Sequence, residues 1–202
     1  HIVGLGIDEG NALLGQGLAR IRETRDSRAL KIAAALEEAG IPGAREGALR
    51  HAGNPALISR AHFARFLVEQ NYVRDVKGVF NHYLVPGKPG YVTHQWASLQ
   101  EAVSWIRASG GMAVIAHPGR YRLSREEMRS FIADFRDLGG EGMEVVSGAH
   151  SPEQYREFGA LAKEHGLLAS RASDFHGPRE SRADLGSLPD LPPDVAPVWQ
   201  RW

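Results

Sequence analysis

The first seven residues, His1-Ile2-Val3-Gly4-Leu5-Gly6-Ile7, are apolar with small interruptions and run into the turn Asp8-Glu9-Gly10-Asn11. That pattern predicts a buried strand followed by a loop. From about Ala12 to Ala39 the spacing becomes helical: Leu14, Leu18 and Ile21 form one stripe, continued by Ala29, Ile32, Leu36 and Ala39, with charged residues on the solvated face. Gly40-Ile41-Pro42-Gly43 stops the helix, because glycine suits a C-terminal cap and proline cannot continue the ladder.

Residues 43 to 97 have a different texture. Short helical patterns over Arg60 to Gln70 and Asp75 to Tyr83 are separated by Asn54-Pro55 and Pro86-Gly87-Lys88-Pro89-Gly90, with no convincing strand. A small, mostly helical insert is expected there. Regular alternation resumes at Ser98, where Ser98 with Glu101 and Ser124 with Glu127 read as capping boxes for two helices. Ser151-Pro152 starts a third by N-cap and N1 proline. Between the helices, Met112 to Ala116, Gly142 to Val146 and Leu167 to Ala172 are uninterrupted apolar strands. Strands of this kind alternating with helices predict an α/β fold with a parallel sheet, built from residues 1–42 and 98–202 around the insert at 43–97.

Composition narrows the chemistry. The 202 residues carry 24 basic and 24 acidic side chains, so bulk charge gives no reason to expect nucleic acid or a membrane as partner, and anions must be met locally. Cysteine is absent, which removes disulfides, thiolate metal sites and cysteine nucleophiles and leaves His, Asp and Glu as the strong metal ligands. No run is long and apolar enough to span a bilayer and no signal peptide opens the chain, so a cytoplasmic location is the default. The chain starts in mid-strand at His1 without Met, which reads as a segment of a longer protein.

The candidate chemistry falls at strand ends. Asp174 and His176, two residues apart after the last strand, project to one side if the chain is extended there. His117 follows the strand Met112 to Ala116, with Pro118 fixing the backbone beyond it, and His1 lies within the first strand. In a parallel sheet the C-terminal strand ends share the functional rim, where His1, His117, Asp174 and His176 can converge on a metal. A hydrogen-bonded histidine at 117 and a turn-capping Asp174 are the plain alternatives. Arg60 and Lys88 in the insert, with Arg120 and Arg171 near the rim, are candidates for an anion, since guanidinium matches phosphate oxygens bidentately. Surface ion pairs would account for each of them singly. Neither a nucleophile elbow nor a Walker A loop is present.

His1-Ile2-Val3-Gly4, Ala116-His117-Pro118-Gly119-Arg120-Tyr121 and Ser173-Asp174-Phe175-His176-Gly177-Pro178 together resemble the later motifs of the PHP (polymerase and histidinol phosphatase) superfamily. Ser59-Arg60-Ala61-His62-Phe63-Ala64-Arg65 and Gly87-Lys88-Pro89-Gly90-Tyr91-Val92 narrow the resemblance to the branch of nucleoside 3',5'-bisphosphate phosphatases and 5'-to-3' exoribonucleases. The resemblance implies a distorted seven-unit β/α barrel, here lacking its first strands, and up to three divalent ions, typically manganese, iron or zinc. It implies His1 and His117 on one metal, Asp174 on a second, His176 on a third, and Arg60 and Lys88, helped by Arg120 and Arg171, on a nucleotide or short RNA. No membrane or protein partner is implied. The family's first His-x-His, its Thr-Asp-His and its bridging Glu would all precede His1, so activity of this segment alone is not expected. A noncatalytic nucleotide-binding module and a histidinol-phosphate or sugar-phosphate phosphatase are the rival expectations.

Overall fold

The structure, a computed structural model, describes residues 1–93, 96–177 and 181–202. Pro178, which ends the last motif above, lies outside the described residues. In chain order the elements are β1 (Ile2–Leu5), α1 (Ala12–Glu38), α2 (Ala44–Arg50), α3 (Arg60–Glu69), α4 (Val76–Val79), α5 (Leu99–Ala108), β2 (Met112–Ile115), α6 (Arg125–Asp137), β3 (Gly142–Ser147), α7 (Pro152–Glu164) and β4 (Leu168–Ala172). The helix starts follow the predicted local chemistry. Ser98 with Glu101 and Ser124 with Glu127 form reciprocal capping boxes, and Ser151 with Gln154 forms a third ahead of Pro152. No helix among the described residues is long and apolar enough to cross a membrane.

The fold is mixed α/β, and the chain forms two compact units, His1–Gly15 with Ala97–Trp202 and Gln16–Trp96. The second division falls beside Ser98, where the sequence pattern changes. The first falls inside α1, and not at Gly43, because Ala29, Ile32 and Leu36 are buried in one cluster with Phe63, Leu67, Val79 and Leu84 of the helical unit.

The first unit is built on a four-stranded sheet in the order β1-β2-β3-β4. Strands β2, β3 and β4 are parallel, and every residue of β2 and β3 is buried. Helices α5, α6 and α7 place Val103 and Ile106, Met128, Ile132 and Phe135, and Phe158 and Leu161 in one cluster with Ala113, Ile115, Met143 and Val145. Met112 and Val114 face the other way, against Val198, Leu5 and Leu168.

Strand β1 departs from the parallel expectation. It runs antiparallel to β2, with Ile2 opposite Ile115 and Leu5 opposite Met112. An apolar strand pattern does not encode direction, and antiparallel strands serve as edges of otherwise parallel sheets. The reversal determines where His1 sits: the start of β1 lies beside the C-terminal end of β2, at the rim that carries His117.

Candidate functional site

Two of the four candidate ligands, His1 and His117, meet at this rim through strand ends. The Ala116 amide donates to His1 O at 3.1 Å, which extends the β1–β2 ladder by one rung. The rings then meet, with His1 Nδ1 3.0 Å from His117 Nε2 and ring centroids 4.9 Å apart. The other ring nitrogen of His117, Nδ1, is buried with no hydrogen-bond partner. Burial holds the His117 imidazole below its ordinary pKa, against the opposing charge of Asp174, so it stays neutral with a lone pair to offer. The Tyr121 hydroxyl lies 3.1 Å from His1 O and 2.9 Å from Ala116 O. Burial, reinforced by the charge of Glu144, pushes its pKa up to about 12, so it remains a donor.

His117 and Asp174 both adopt positive φ, 30° and 53°, and the one other non-glycine residue to do so among the described residues is Asn71. Such backbone costs energy and persists where the surroundings fix it, which is characteristic of functional positions. Asp174 Oδ2 accepts from Arg120 Nη1 at 2.8 Å. His176 Nδ1 lies 2.7 Å from Asp174 O, and a carbonyl oxygen only accepts, so Nδ1 carries the proton and Nε2 is left with the lone pair. The turn at Asp174 breaks the extended geometry that the two-residue spacing assumed. Its consequence is that the two side chains are tied through this backbone contact, with His176 exposed and the Asp174 carboxylate more sheltered.

Two further residues stand at the rim, and of these only Glu144 escaped the sequence reading, since the stretch Ser147 to His150 follows a strand end in it. Glu144, in the middle of apolar β3, is 6% exposed and its Oε2 accepts from the His117 amide at 2.6 Å. Burial raises its pKa, opposed by hydrogen bonds from His117 and Ser147. The available signal was the lone charge in Gly142–Ser147. His150 is also buried; its Nδ1 donates to Val145 O and its Nε2 accepts from the Gly119 amide, both at 3.0 Å. With both nitrogens engaged it has no lone pair for a metal.

Burial also depresses the His150 pKa. An unfolded chain takes up this proton near pH 6.5 while the folded one resists it, so stability is lost as pH falls through the unfolded value toward the folded one. Thermal melts between pH 7.5 and 5.5 should therefore show an acid-side fall in Tm that is shallower in a His150→Leu variant; parallel curves would refute this.

Among the described residues, no three His, Asp or Glu side chains lie together as a group that could hold a metal ion, so the four candidates do not converge on one ion here. The partial set nevertheless fits divalent ions. It offers imidazole nitrogen and carboxylate oxygen, an unpartnered buried nitrogen on His117, and a carboxylate already drawn to a cation, the Arg120 guanidinium. Of the predicted anion ligands, Arg120 is thus at the rim. Arg171 is not directed there: it donates to Pro189 O at 3.2 Å and to Asp190 Oδ1 at 2.6 Å.

Within the helical unit, Arg60 donates to Leu84 O at 3.1 Å and lies 5.5 Å over the Phe80 ring. Arg28 donates to Val92 O at 3.1 Å, and Arg25 lies 5.3 Å over the Trp96 ring. Burial lowers the Arg28 pKa, with further depression from the charges of Arg60 and Arg25 against the opposing influence of Tyr91. None is paired with a carboxylate among the described residues. Arg25 and Arg28, one helical turn apart, had been assigned to the solvated face of α1. Lys88 is exposed. The zero net charge conceals a partition: Gln16–Trp96 holds 12 Lys and Arg against 7 Asp and Glu, and the remainder holds 12 against 17.

No family model matches the chain. It is 54% identical over 200 residues to a 3',5'-nucleoside bisphosphate phosphatase of Chromobacterium violaceum, covering 99% of this chain and 70% of that protein. It is 46% identical over 202 residues to the 5'-3' exoribonuclease Rnm of Escherichia coli, covering 100% of this chain and 68% of that one. Among solved structures, an amidohydrolase from Chromobacterium violaceum, determined with bound sulfate and no metal, superposes with a TM-score of 0.93 at 53% identity, over 100% of this chain and 70% of its own. With relatives this similar across the whole of its length, the chain belongs to the PHP-superfamily branch of 3',5'-nucleoside bisphosphate phosphatases and 5'-3' exoribonucleases.

Proposed function

We propose that the full-length protein is a divalent-metal-dependent phosphoesterase that removes the 3'-phosphate of nucleoside 3',5'-bisphosphates and degrades short 5'-phosphorylated RNA from its 5' end. The observation that carries this reading is the rim itself, where paired imidazoles from β1 and β2 sit with Asp174 on backbone held in a strained conformation. The family relationship supplies the substrate class.

His1 and His117 would hold one ion, Asp174 a second and His176 a third, with further ligands from strands preceding His1 that complete a seven-unit barrel. Manganese, iron and zinc all suit this donor set. Divalent ions there supply an activated water and Lewis-acid polarisation of the phosphoryl group. The chain's own residues bind and orient. Arg60, with Arg25 and Arg28, takes the 5'-phosphate, and Lys88 adds a point charge at the surface of the same unit. Arg120 offsets charge on the phosphoryl oxygens beside Asp174, whereas Arg171 is held by Pro189 and Asp190 and is not assigned to the anion. Residues 1–42 and 98–202 act as the catalytic portion and 43–97 as the substrate-gripping insert, with α1 contributing Arg25 and Arg28 to the grip.

The full-length gene product, supplied with manganese, should release inorganic phosphate and AMP from adenosine 3',5'-bisphosphate. Arg60→Ala should raise KM roughly 10- to 100-fold, the loss expected for a charge-assisted contact. Absence of product from both the bisphosphate and 5'-phosphorylated RNA would reject the reading and favour a noncatalytic binding module.

A further inference from the structure

We propose that Glu144 is a positioning residue for His117, acting with His150 as a two-point clamp on the turn His117-Pro118-Gly119. The inference rests on the proposed role of His117 as a metal ligand.

The turn presents an unusual demand. His117 has left-handed backbone, φ 30° and ψ 59°, and Pro118 has no amide hydrogen to give. Its neighbouring amides point inward, where water does not satisfy them. The His117 amide is met by Glu144 Oε2 at 2.6 Å and the Gly119 amide by His150 Nε2 at 3.0 Å. Both acceptors are buried, and both come from β3 or the turn that follows it. The second acceptor is itself oriented, since His150 Nδ1 is fixed on Val145 O. Carbonyl groups on either side are also engaged, Ala116 O by the Tyr121 hydroxyl and His117 O by the Arg120 amide. The backbone is thus held on both sides of the proline, and the His117 ring lies against His1.

The pairing register shows how β3 reaches the turn. Gly142 pairs with Val114, which puts Glu144 on the same face of the sheet as Val114 and two residues nearer the rim. Immediately beyond it the pairing with β4 slips by one residue between Glu144 and Val146. A carboxylate in the middle of an apolar strand costs stability, and an aliphatic residue would pack there without that cost. The contact it makes is with the backbone amide of His117, one of the proposed metal ligands.

The test uses the full-length gene product and manganese(II) alone, with free ion followed by its electron paramagnetic resonance signal. Glu144→Leu removes the acceptor and should weaken manganese binding roughly 10- to 100-fold, as loss of outer partners of metal ligands does. Glu144→Gln keeps an acceptor oxygen in place and should stay within about fivefold of the parent protein. In turnover of adenosine 3',5'-bisphosphate, Glu144→Leu should lower kcat and leave KM within about twofold. Unchanged manganese affinity in a folded Glu144→Leu variant would overturn this inference alone, as would a folded Glu144→Gln as weak as Glu144→Leu. Should Glu144→Leu not fold, His150→Leu removes the other acceptor, and manganese binding equal to the parent's would overturn the clamp. A parent protein that binds no manganese would overturn the clamp and the proposed function together.

Discussion

Gly148→Ala is expected to damage both stability and activity, although it adds a single methyl group. A Cβ at position 148 would lie 2.1 Å from the Ser173 carbonyl oxygen and 3.0 Å from Ala183 Cβ. The first of these is backbone and cannot rotate away. Relieving the clash means moving the exit of β4 by about 1 Å or more, and overpacking of this kind costs about 1–3 kcal/mol. For a protein of this size that corresponds to a fall in Tm of roughly 3–10 °C. Ser173 precedes Asp174, whose positive φ is set by this exit, so the carboxylate moves with it. A misplacement near 1 Å in a catalytic group costs on the order of a hundredfold in rate. Gly53→Ala supplies the control, since nothing lies within 4 Å of its Cβ. Melting curves and turnover of the two variants should separate widely; equal behaviour would show that β3 and β4 exits move independently.

The second large effect is His117→Ala. Removing the imidazole takes away the partner of His1 Nδ1 and the buried, unpaired Nδ1 together. Turnover of the bisphosphate by the full-length protein should fall on the order of a thousandfold, the scale seen when a group that stabilises transition-state charge is lost. Stability should change little or rise, because the deletion also leaves the Glu144 contact with the backbone amide intact. KM should move far less than kcat, since the arginines of the helical unit are untouched. A variant retaining more than a tenth of the parent rate would remove His117 from the catalytic machinery.

Much of this was legible in the sequence because it is written in local chemistry. Serine followed three residues later by Glu or Gln fixes a helix start by two hydrogen bonds, and Ser98, Ser124 and Ser151 each begin one. Apolar runs ending in polar residues likewise marked His117 and Asp174. What escaped depends on partners distant in the chain. The direction of β1 is not encoded in its apolar run, and only its antiparallel pairing brings His1 to His117. Glu144 was absorbed into a strand because one acidic residue barely disturbs an apolar pattern. Arg25 and Arg28 look like any charged helix face until Arg60 is folded against them. Arg171 pointed to the rim by sequence proximity, but Asp190 claims it.

The antiparallel placement of β1 has one more consequence. Among the described residues this strand has a single hydrogen-bonded neighbour, so its ladder hydrogen bonds are all made with β2. The ladder ends where the two imidazoles meet. Whatever joins those rings also closes the open end of a zipper, and by thermodynamic linkage an occupant of the site raises the free energy of fraying for the whole strand. Amide exchange along Ile2–Leu5 would then report occupancy at a distance from the ion, a signal that needs no substrate and no turnover.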